Sequence, residues 1–381
     1  MRGERGFLRL SYQHKGKGIA ISFGIHQSLI TFLTNMTTSF SSLPIIDLAV
    51  LSSSSPSTSD LQGLSDQLRS GFATTGFAYL TNPPLTFSHD DIFKLSGDFF
   101  KIDDEAKMRL AKKSFVKSNR NTYRGYFPPQ PGQLDNLKEG FEVGPPTAPR
   151  ATPGLAEMFD LSEPNVWPRE STFSNGRARL EKLYEELQSL SSTLLSLLAV
   201  SLDKPANFFS DYLEDSVSTL RLLHYPPQPS VHRPGPGEVK LCCTPHTDSG
   251  ILTLLHQDPT GGLEVLNVSG EWIAAPYVPN SLVVNIGDLL AKVSGGRFVA
   301  TMHRVRTNNG GASRNDGLGR FSVPFFFEPG ENCLVKSVDG GEGVLYGEHV
   351  RKKMGTWVEF QDLPEESITA GHGNAVVIEA Y

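Results

Sequence analysis

From about Ser218 to Phe327 the chain is cut into short apolar runs that recur every 8–12 residues or so. This texture constrains the fold more than any other feature. RLLHY, CCTPHTD, ILTLLHQ, LEVLNV, EWIAAP, SLVVNI, ATMHRVRT and RFSVPFFF follow one another, separated by turns rich in Gly, Pro and Asn. Runs this short cannot sustain a helical hydrophobic face, but they suit strands whose side chains alternate between two faces. Repeated at this spacing, they predict an all-β sandwich or barrel. The 36 glycines and 26 prolines supply the turns such a fold needs.

Helices are expected around that core. Arg177 to Leu202 carries Leu180, Leu183, Leu187, Leu190, Leu194 and Leu197 on one helical stripe, a scaffold helix packed on a sheet. Upstream, Leu43 to Val50 reads as a buried strand, followed by the Ser-rich linker Ser52 to Ser59. Asp60 is expected to N-cap a helix bearing Leu61, Leu64 and Leu68 on one face. Phe77 to Leu80 reads as a second strand. Asp90 to Leu110 reads as helical, with acids early and lysines late as the helix dipole prefers. Asn121 to Gly144, with PPQPG inside it, reads as a loop. The organisation expected is an extension over 1–41, an N-terminal region over 42–170, a scaffold-helix region over 171–214, a β-domain over 215–335 and a C-terminal segment over 336–381.

Charge and composition exclude several classes. Lys and Arg number 35 against 41 Asp and Glu, a net −6 with no basic stripe, so a nucleic-acid partner is not expected. A membrane-spanning helix needs roughly 18 or more consecutive apolar residues. The nearest stretch, Ile19 to Leu33, is broken by Ser22, Gly24, His26 and Gln27, so no membrane partner is expected. Three cysteines, two of them adjacent (Cys242 and Cys243), do not make a disulfide framework and point to a reducing compartment. A cytoplasmic monomer is the expectation. Residues 1–41 set Arg2, Arg5, Arg9, Lys15 and Lys17 against one acid, Glu4, as a mitochondrial transit peptide would. A translation start at Met36 explains the same segment equally well.

Three groups of residues carry chemistry. In His246-Thr247-Asp248 the first and third side chains of a strand share a face. His303, on another short strand, adds a second imidazole. Two imidazoles and one carboxylate form the facial triad suited to iron(II), with positions left open for substrate and dioxygen. Zinc accepts the same donors, and a lone strand histidine is more often a core residue bonded to a carbonyl; His224 and His256 stand nearby. Arg320 and Ser322 also share one strand face, opposite Phe321 and Val323. An inward guanidinium is costly without an anion, and a planar fork beside a hydroxyl grips a carboxylate well. An ion pair with one of the chain's own acids is the competing reading. Tyr225 offers a hydroxyl to the same pocket, although alone it reads as a half-buried core tyrosine. Cys242 and Cys243 lie close to His246 but lack a C-x-x-C spacing, and small core residues are the simpler reading.

The run HTDSGILTLLHQD, GGLEVLNVSGEWIAAP, SLVVNIGDLL, HRV and RFSVPFFF resembles the isopenicillin N synthase-like branch of the iron(II)/2-oxoglutarate-dependent dioxygenases. LPIIDL, GFATTGFAYL, RGYFPP, KEGFEVG and PNVWP resemble that family's N-terminal region, so the likeness spans about 42–335. It implies a mainly β fold with flanking helices around a double-stranded β-helix, or jelly roll. It implies His246, Asp248 and His303 as iron ligands, Arg320 and Ser322 as the clamp on the far carboxylate of 2-oxoglutarate, and Tyr225 as a co-substrate contact. The activity implied is oxidation of a small organic molecule by dioxygen, through hydroxylation, desaturation or ring closure, with release of succinate and carbon dioxide. Ascorbate is the reductant to consider. Two departures stand out. Val293-Ser294-Gly295-Gly296 replaces the family's Thr-Asn-Gly, and a Gly/Asn-rich insertion, Asn308 to Gly319, lengthens the interval from His303 to Arg320. Arg314 lies nearer the usual spacing, but Asp316 follows it where Ser is expected, so Arg320 is the assignment. A 2-oxoglutarate-independent iron oxidase and a non-catalytic binding module on the same scaffold are the alternative functions. Tyr123, Tyr126, Phe127, Trp357 and Phe360 lie in segments expected to border the barrel mouth and are given no role.

Overall fold

The computed structural model describes residues 39–129, 138–150, 159–227, 239–307 and 318–354. The readings made on residues 1–38, on most of the insertion after His303 and on Trp357 and Phe360 lie outside them.

Along the chain, β1 (Ile45–Asp47) leads to α1 (Thr58–Thr74), β2 (Phe77–Thr81), α2 (His89–Phe100) and α3 (Asp104–Met108). β3 (Gly125–Phe127), β4 (Glu139–Val143) and the long α4 (Gly176–Ser201) follow. The β-rich half then comprises β5 (Thr219–Tyr225), β6 (Leu241–His246), β7 (Leu252–Gln257), β8 (Leu263–Leu266), β9 (Trp272–Ala274) and β10 (Ser281–Ile286). After the short α5 (Asp288–Val293) come β11 (His303–Arg306), β12 (Arg320–Phe327) and, last among the longer elements, α6 (Tyr346–Met354).

Two sheets form the core. The larger has the order β1-β2-β10-β7-β12-β5-β4-β3, the smaller β6-β11-β8-β9. Strand alternation divides the side chains into two cores. Phe77, Tyr79, Leu223, Tyr225, Leu263, Val265, Val283 and Val305 come from both sheets and fill the space between them. The opposite face of the larger sheet, with Leu220, Leu222, Leu252, Leu254, Phe321, Val323, Phe325 and Phe327, packs in one cluster with the helices. The whole leucine stripe of α4 is buried in that second cluster, as its spacing predicts. Mainly β, jelly-roll architecture with flanking helices is therefore what the chain adopts.

Three local expectations need correction. Ser57, not Asp60, caps α1: its hydroxyl accepts from the Asp60 amide at 3.1 Å, which puts the acid at the third helical position. Asp90 to Leu110 is two helices rather than one. The Asp103 side chain accepts from the Ala106 amide at 2.9 Å and starts α3 afresh. Asn121 to Gly144 contains β3 and β4, which extend the larger sheet beyond β5. The PPQPG run makes that stretch read as a loop, yet Glu139 and Glu142 within it are buried by partners distant in sequence. Glu142 meets Lys112 at 2.5 Å and also Arg221, and Glu139 meets Lys107 at 3.0 Å.

Glu142→Ala removes a carboxylate that two cations share in a water-free place. Breaking such a buried pair from one side costs about 3–5 kcal/mol. Urea unfolding is therefore expected to show a lower midpoint at unchanged slope, and a loss below about 1 kcal/mol would mean the cluster is solvated.

Candidate active site

β11 pairs antiparallel with β6 so that His303 stands directly opposite His246. Their ring centroids are 4.2 Å apart. Asp248 lies just past the end of β6, so its convergence with His246 comes from the turn rather than from strand parity. Its Oδ1 sits 3.8 Å from His246 Nε2 and 3.7 Å from His303 Nε2. One donor atom from each residue falls within 4.8 Å of the others, and among the described residues no other set of three His, Cys, Asp or Glu does so.

The surroundings fix which atoms face inward. His246 Nδ1 lies 2.8 Å from the Thr244 carbonyl and His303 Nδ1 3.3 Å from the Thr301 carbonyl. Each Nδ1 donates to a carbonyl two residues earlier, which leaves both Nε2 lone pairs for a metal. Asp248 Oδ2 accepts from the Thr253 hydroxyl at 2.5 Å and the Asn285 amide at 2.8 Å, which leaves Oδ1 for the same purpose. Burial works to raise the Asp248 carboxyl, but the electrostatic pull of the neighbouring His303 and His246 rings and those two bonds outweigh it and hold it below the ordinary carboxylate range. Burial, aided by His246, pushes His303 down to about 4, so its ring is in the neutral, ligating form. Burial works to lower His246 too, but Cys243 and Asp248 outweigh it and raise it to about 9, so a metal must displace a proton to take its Nε2. His303 is 10% exposed and Asp248 8%, while His246 is 40% exposed, so the group is approachable from one side. Two free imidazole nitrogens and one free carboxylate oxygen fit iron(II).

β12 enters the same cavity, about 90 Å³ in volume, from the other sheet. Arg320, Ser322, Pro324 and Phe326 line it, while Phe321, Val323 and Phe325 point into the helix-facing core, as strand parity predicts. Arg320 pairs with Tyr225 on β5, and its guanidinium lies 4.7 Å from the centre of the tyrosine ring. Its Nε donates to the Gly261 carbonyl at 2.7 Å, but Nη1 is buried with no hydrogen-bond partner among the described residues. A guanidinium 5% exposed with an unfilled donor is a built seat for an anion, and a carboxylate has the matching shape. Burial raises the Tyr225 phenol above its ordinary value, so it remains a neutral hydroxyl.

All six residues singled out by sequence thus lie around one cavity. Thr253 and Asn285 were missed. Asn285 interrupts an apolar strand at a cavity-facing position, a signal that was available; Thr253 is an ordinary strand residue with none. Cys243 also lines the cavity, its Sγ 3.9 Å from His246 Nδ1, whereas Cys242 is a buried core residue. Tyr123 and Tyr126 are buried in the helix-side core and Phe127 in the inter-sheet core.

A jelly roll that presents two imidazoles and a carboxylate to one point, with a buried arginine beside them, defines the non-haem iron oxygenase class. Comparison with known proteins agrees. Residues 216–329 match the model of the 2OG-Fe(II) oxygenase superfamily, and residues 43–170 match the N-terminal model of non-haem dioxygenases in morphine synthesis. A 2-oxoglutarate-dependent dioxygenase of Didymella fabae is 34% identical over 313 residues, covering 80% of this chain and 90% of that protein. Clavatol oxidase of Penicillium crustosum is 30% identical over 339 residues, covering 82% and 95%. A Neurospora crassa protein, crystallised in complex with α-ketoglutarate and 5-formyluracil, superposes with a TM-score of 0.68 at 27% identity, covering 83% of this chain and 96% of that one. The chain belongs to the 2OG-Fe(II) oxygenase superfamily: it is an iron(II)- and 2-oxoglutarate-dependent dioxygenase. No helix among the described residues is long and apolar enough to cross a membrane.

Proposed function

We infer that His246, Asp248 and His303 hold iron(II), that Arg320 and Ser322 hold the far carboxylate of 2-oxoglutarate with Tyr225 beside them, and that the enzyme oxidises a small organic molecule. The observation that carries this reading is the Nη1 of Arg320, buried and without a hydrogen-bond partner among the described residues, in the same cavity as the three donor atoms. When bound, iron and 2-oxoglutarate supply dioxygen activation and two electrons, and the co-substrate leaves as succinate and carbon dioxide. The chain's own groups do the rest. Thr253 and Asn285 hold Asp248 so that one oxygen faces the metal. The Thr244 and Thr301 carbonyls fix the imidazole tautomers. Arg320 neutralises one end of the co-substrate, and Ser322 donates its hydroxyl there. Apolar walls such as Phe77, Leu223, Leu255 and Val305 keep water from competing for the site.

The relatives are named for 2-oxoglutarate dependence, which favours this reading over a 2-oxoglutarate-independent oxidase. The same reading places the N-terminal region at 42–170, the scaffold helix at 171–214 and the catalytic jelly roll at 215–335. It makes the enzyme a monomer of the cytoplasm, or of the mitochondrion if residues 1–41 act as a transit peptide.

The test is anaerobic titration of the iron(II)-loaded protein with 2-oxoglutarate. A weak, saturable visible charge-transfer band from the chelated keto acid is expected, and His303→Ala should abolish it. Stoichiometric iron without a band would return the weight to the 2-oxoglutarate-independent oxidase.

A further inference from the structure

Arg320 is the first residue of β12, so its aim depends on how the chain enters that strand. On the β7–β8 side, the Phe321 amide donates to Asp258 Oδ2 at 2.7 Å. On the β5 side the grip comes from His224, the residue before Tyr225. Its Nε2 lies 2.6 Å from the Leu318 carbonyl, two residues before Arg320. Between them, Gly319 has φ +85°, and a Cβ there would stand 2.2 Å from the Tyr225 carbonyl, so the turn is pressed directly onto β5. The His224 ring lies flat on Phe321, with centroids 4.7 Å apart and planes 16° apart, and also touches Phe100 of α2.

The other nitrogen of His224 faces β4. Nδ1 lies 2.7 Å from Glu139 Oε1, while Glu139 Oε2 accepts from the Tyr126 hydroxyl at 2.6 Å and from Lys107 Nζ at 3.0 Å. Lys107 in turn pairs with Asp104 at 3.0 Å. Burial works to raise the Glu139 carboxyl, but the bonds from His224 and Tyr126 and the Lys107 charge hold it below the ordinary range, so it is a carboxylate. Both ring nitrogens therefore face an oxygen acceptor, the Glu139 carboxylate on one side and the Leu318 carbonyl on the other.

We propose that His224 is a positioning residue for co-substrate binding: it ties the Leu318 carbonyl to the anchored Glu139 carboxylate and thereby holds the turn that aims Arg320 into the cavity. This deepens the reading of Arg320 given above and rests on it. His224 is on the helix-facing side of β5 and does not line the cavity, so its influence runs through the backbone of residues 318–320.

Two substitutions separate the ring's two bonds. In His224→Asn the amide nitrogen stands near the place of Nδ1, keeping Glu139 and losing Leu318. In His224→Gln it reaches toward the place of Nε2 and keeps Leu318. The full-length chain, loaded anaerobically with Mn(II), is titrated calorimetrically with 2-oxoglutarate, and KM and kcat are measured with iron(II). His224→Asn is expected to weaken 2-oxoglutarate about tenfold, the worth of one good hydrogen bond, and to do so in KM rather than kcat. His224→Gln is expected to recover most of that loss. Arg320→Ala, run alongside, tests the underlying reading, which fails if that variant binds 2-oxoglutarate like the wild type. If Arg320→Ala loses affinity while His224→Asn does not, or if the Asn and Gln variants lose it alike, the positioning role is overturned. Should His224→Asn not fold, Glu139→Gln carries the test. Weakening the acceptor behind the ring should cost roughly threefold or more in affinity, and no loss overturns the proposal.

Discussion

Asp248→Asn is expected to abolish iron binding while leaving the fold intact. The native carboxylate divides its work: Oδ2 takes bonds from Thr253 and Asn285, and Oδ1 faces His246 and His303. Thr253 and Asn285 are both donors here, so they will hold the one acceptor oxygen of an introduced asparagine. Its amide N–H₂ must then take the place of Oδ1 and point two hydrogens where a cation would sit. Size and the two buried bonds survive, so the thermal midpoint should move by no more than a few degrees. Metal affinity should collapse. Outer partners of a ligand are worth about 10–100-fold each, and this change reverses a ligand itself, so a loss well beyond roughly 100-fold is expected. Iron content after anaerobic reconstitution and desalting measures it. A variant that retained near-stoichiometric iron would show that Asp248 is not a ligand.

How much of this was legible in the sequence depends on the range over which each feature is decided. Strand alternation is local, so RFSVPFFF shows that Arg320 and Ser322 share a face; that Tyr225 stands across from Arg320 is decided by the register of two strands distant in sequence, which RLLHY alone does not carry. The leucine stripe of α4 was equally plain, because helical period and burial agree there. H-x-D pointed to two side chains that do converge, through an argument that holds only in part, since the strand ends at His246 and the turn delivers Asp248. What escaped was decided by partners far along the chain. Glu139 and Glu142 look like loop residues until Lys107, Lys112, Arg221 and His224 arrive from other elements. With those partners in place the segment is a strand pair inside the larger sheet. His224 was set aside as one histidine among several for the same reason: its Glu139 and Leu318 contacts have no signature in the residues beside it.

Arg320→Ala is expected to raise the apparent KM for 2-oxoglutarate by roughly two to three orders of magnitude, the counterpart of removing one side of a buried charge pair worth about 3–5 kcal/mol. The size of the effect follows from where the guanidinium sits. It is 5% exposed, with Nε already committed to the Gly261 carbonyl and one face laid on the Tyr225 ring; the other cations lining the cavity are engaged elsewhere, Lys138 beside Cys243 Sγ at 3.5 Å and Arg221 with Glu142. Ser322 and Tyr225 remain as neutral hydroxyls, able to donate a bond but not to balance a charge. Arg320→Lys should recover only part of the loss, because an ammonium carries the charge without the planar fork and cannot keep the Gly261 bond in the same geometry. The co-substrate's far end does not react, so the lost interaction is shared by ground and transition states. kcat at saturating 2-oxoglutarate should therefore change much less than KM. Iron content should stay at the wild-type level, which separates this variant from Asp248→Asn. An unchanged KM would mean that Arg320 answers to one of the chain's own acids, and the anion seat in this cavity would have to be sought elsewhere.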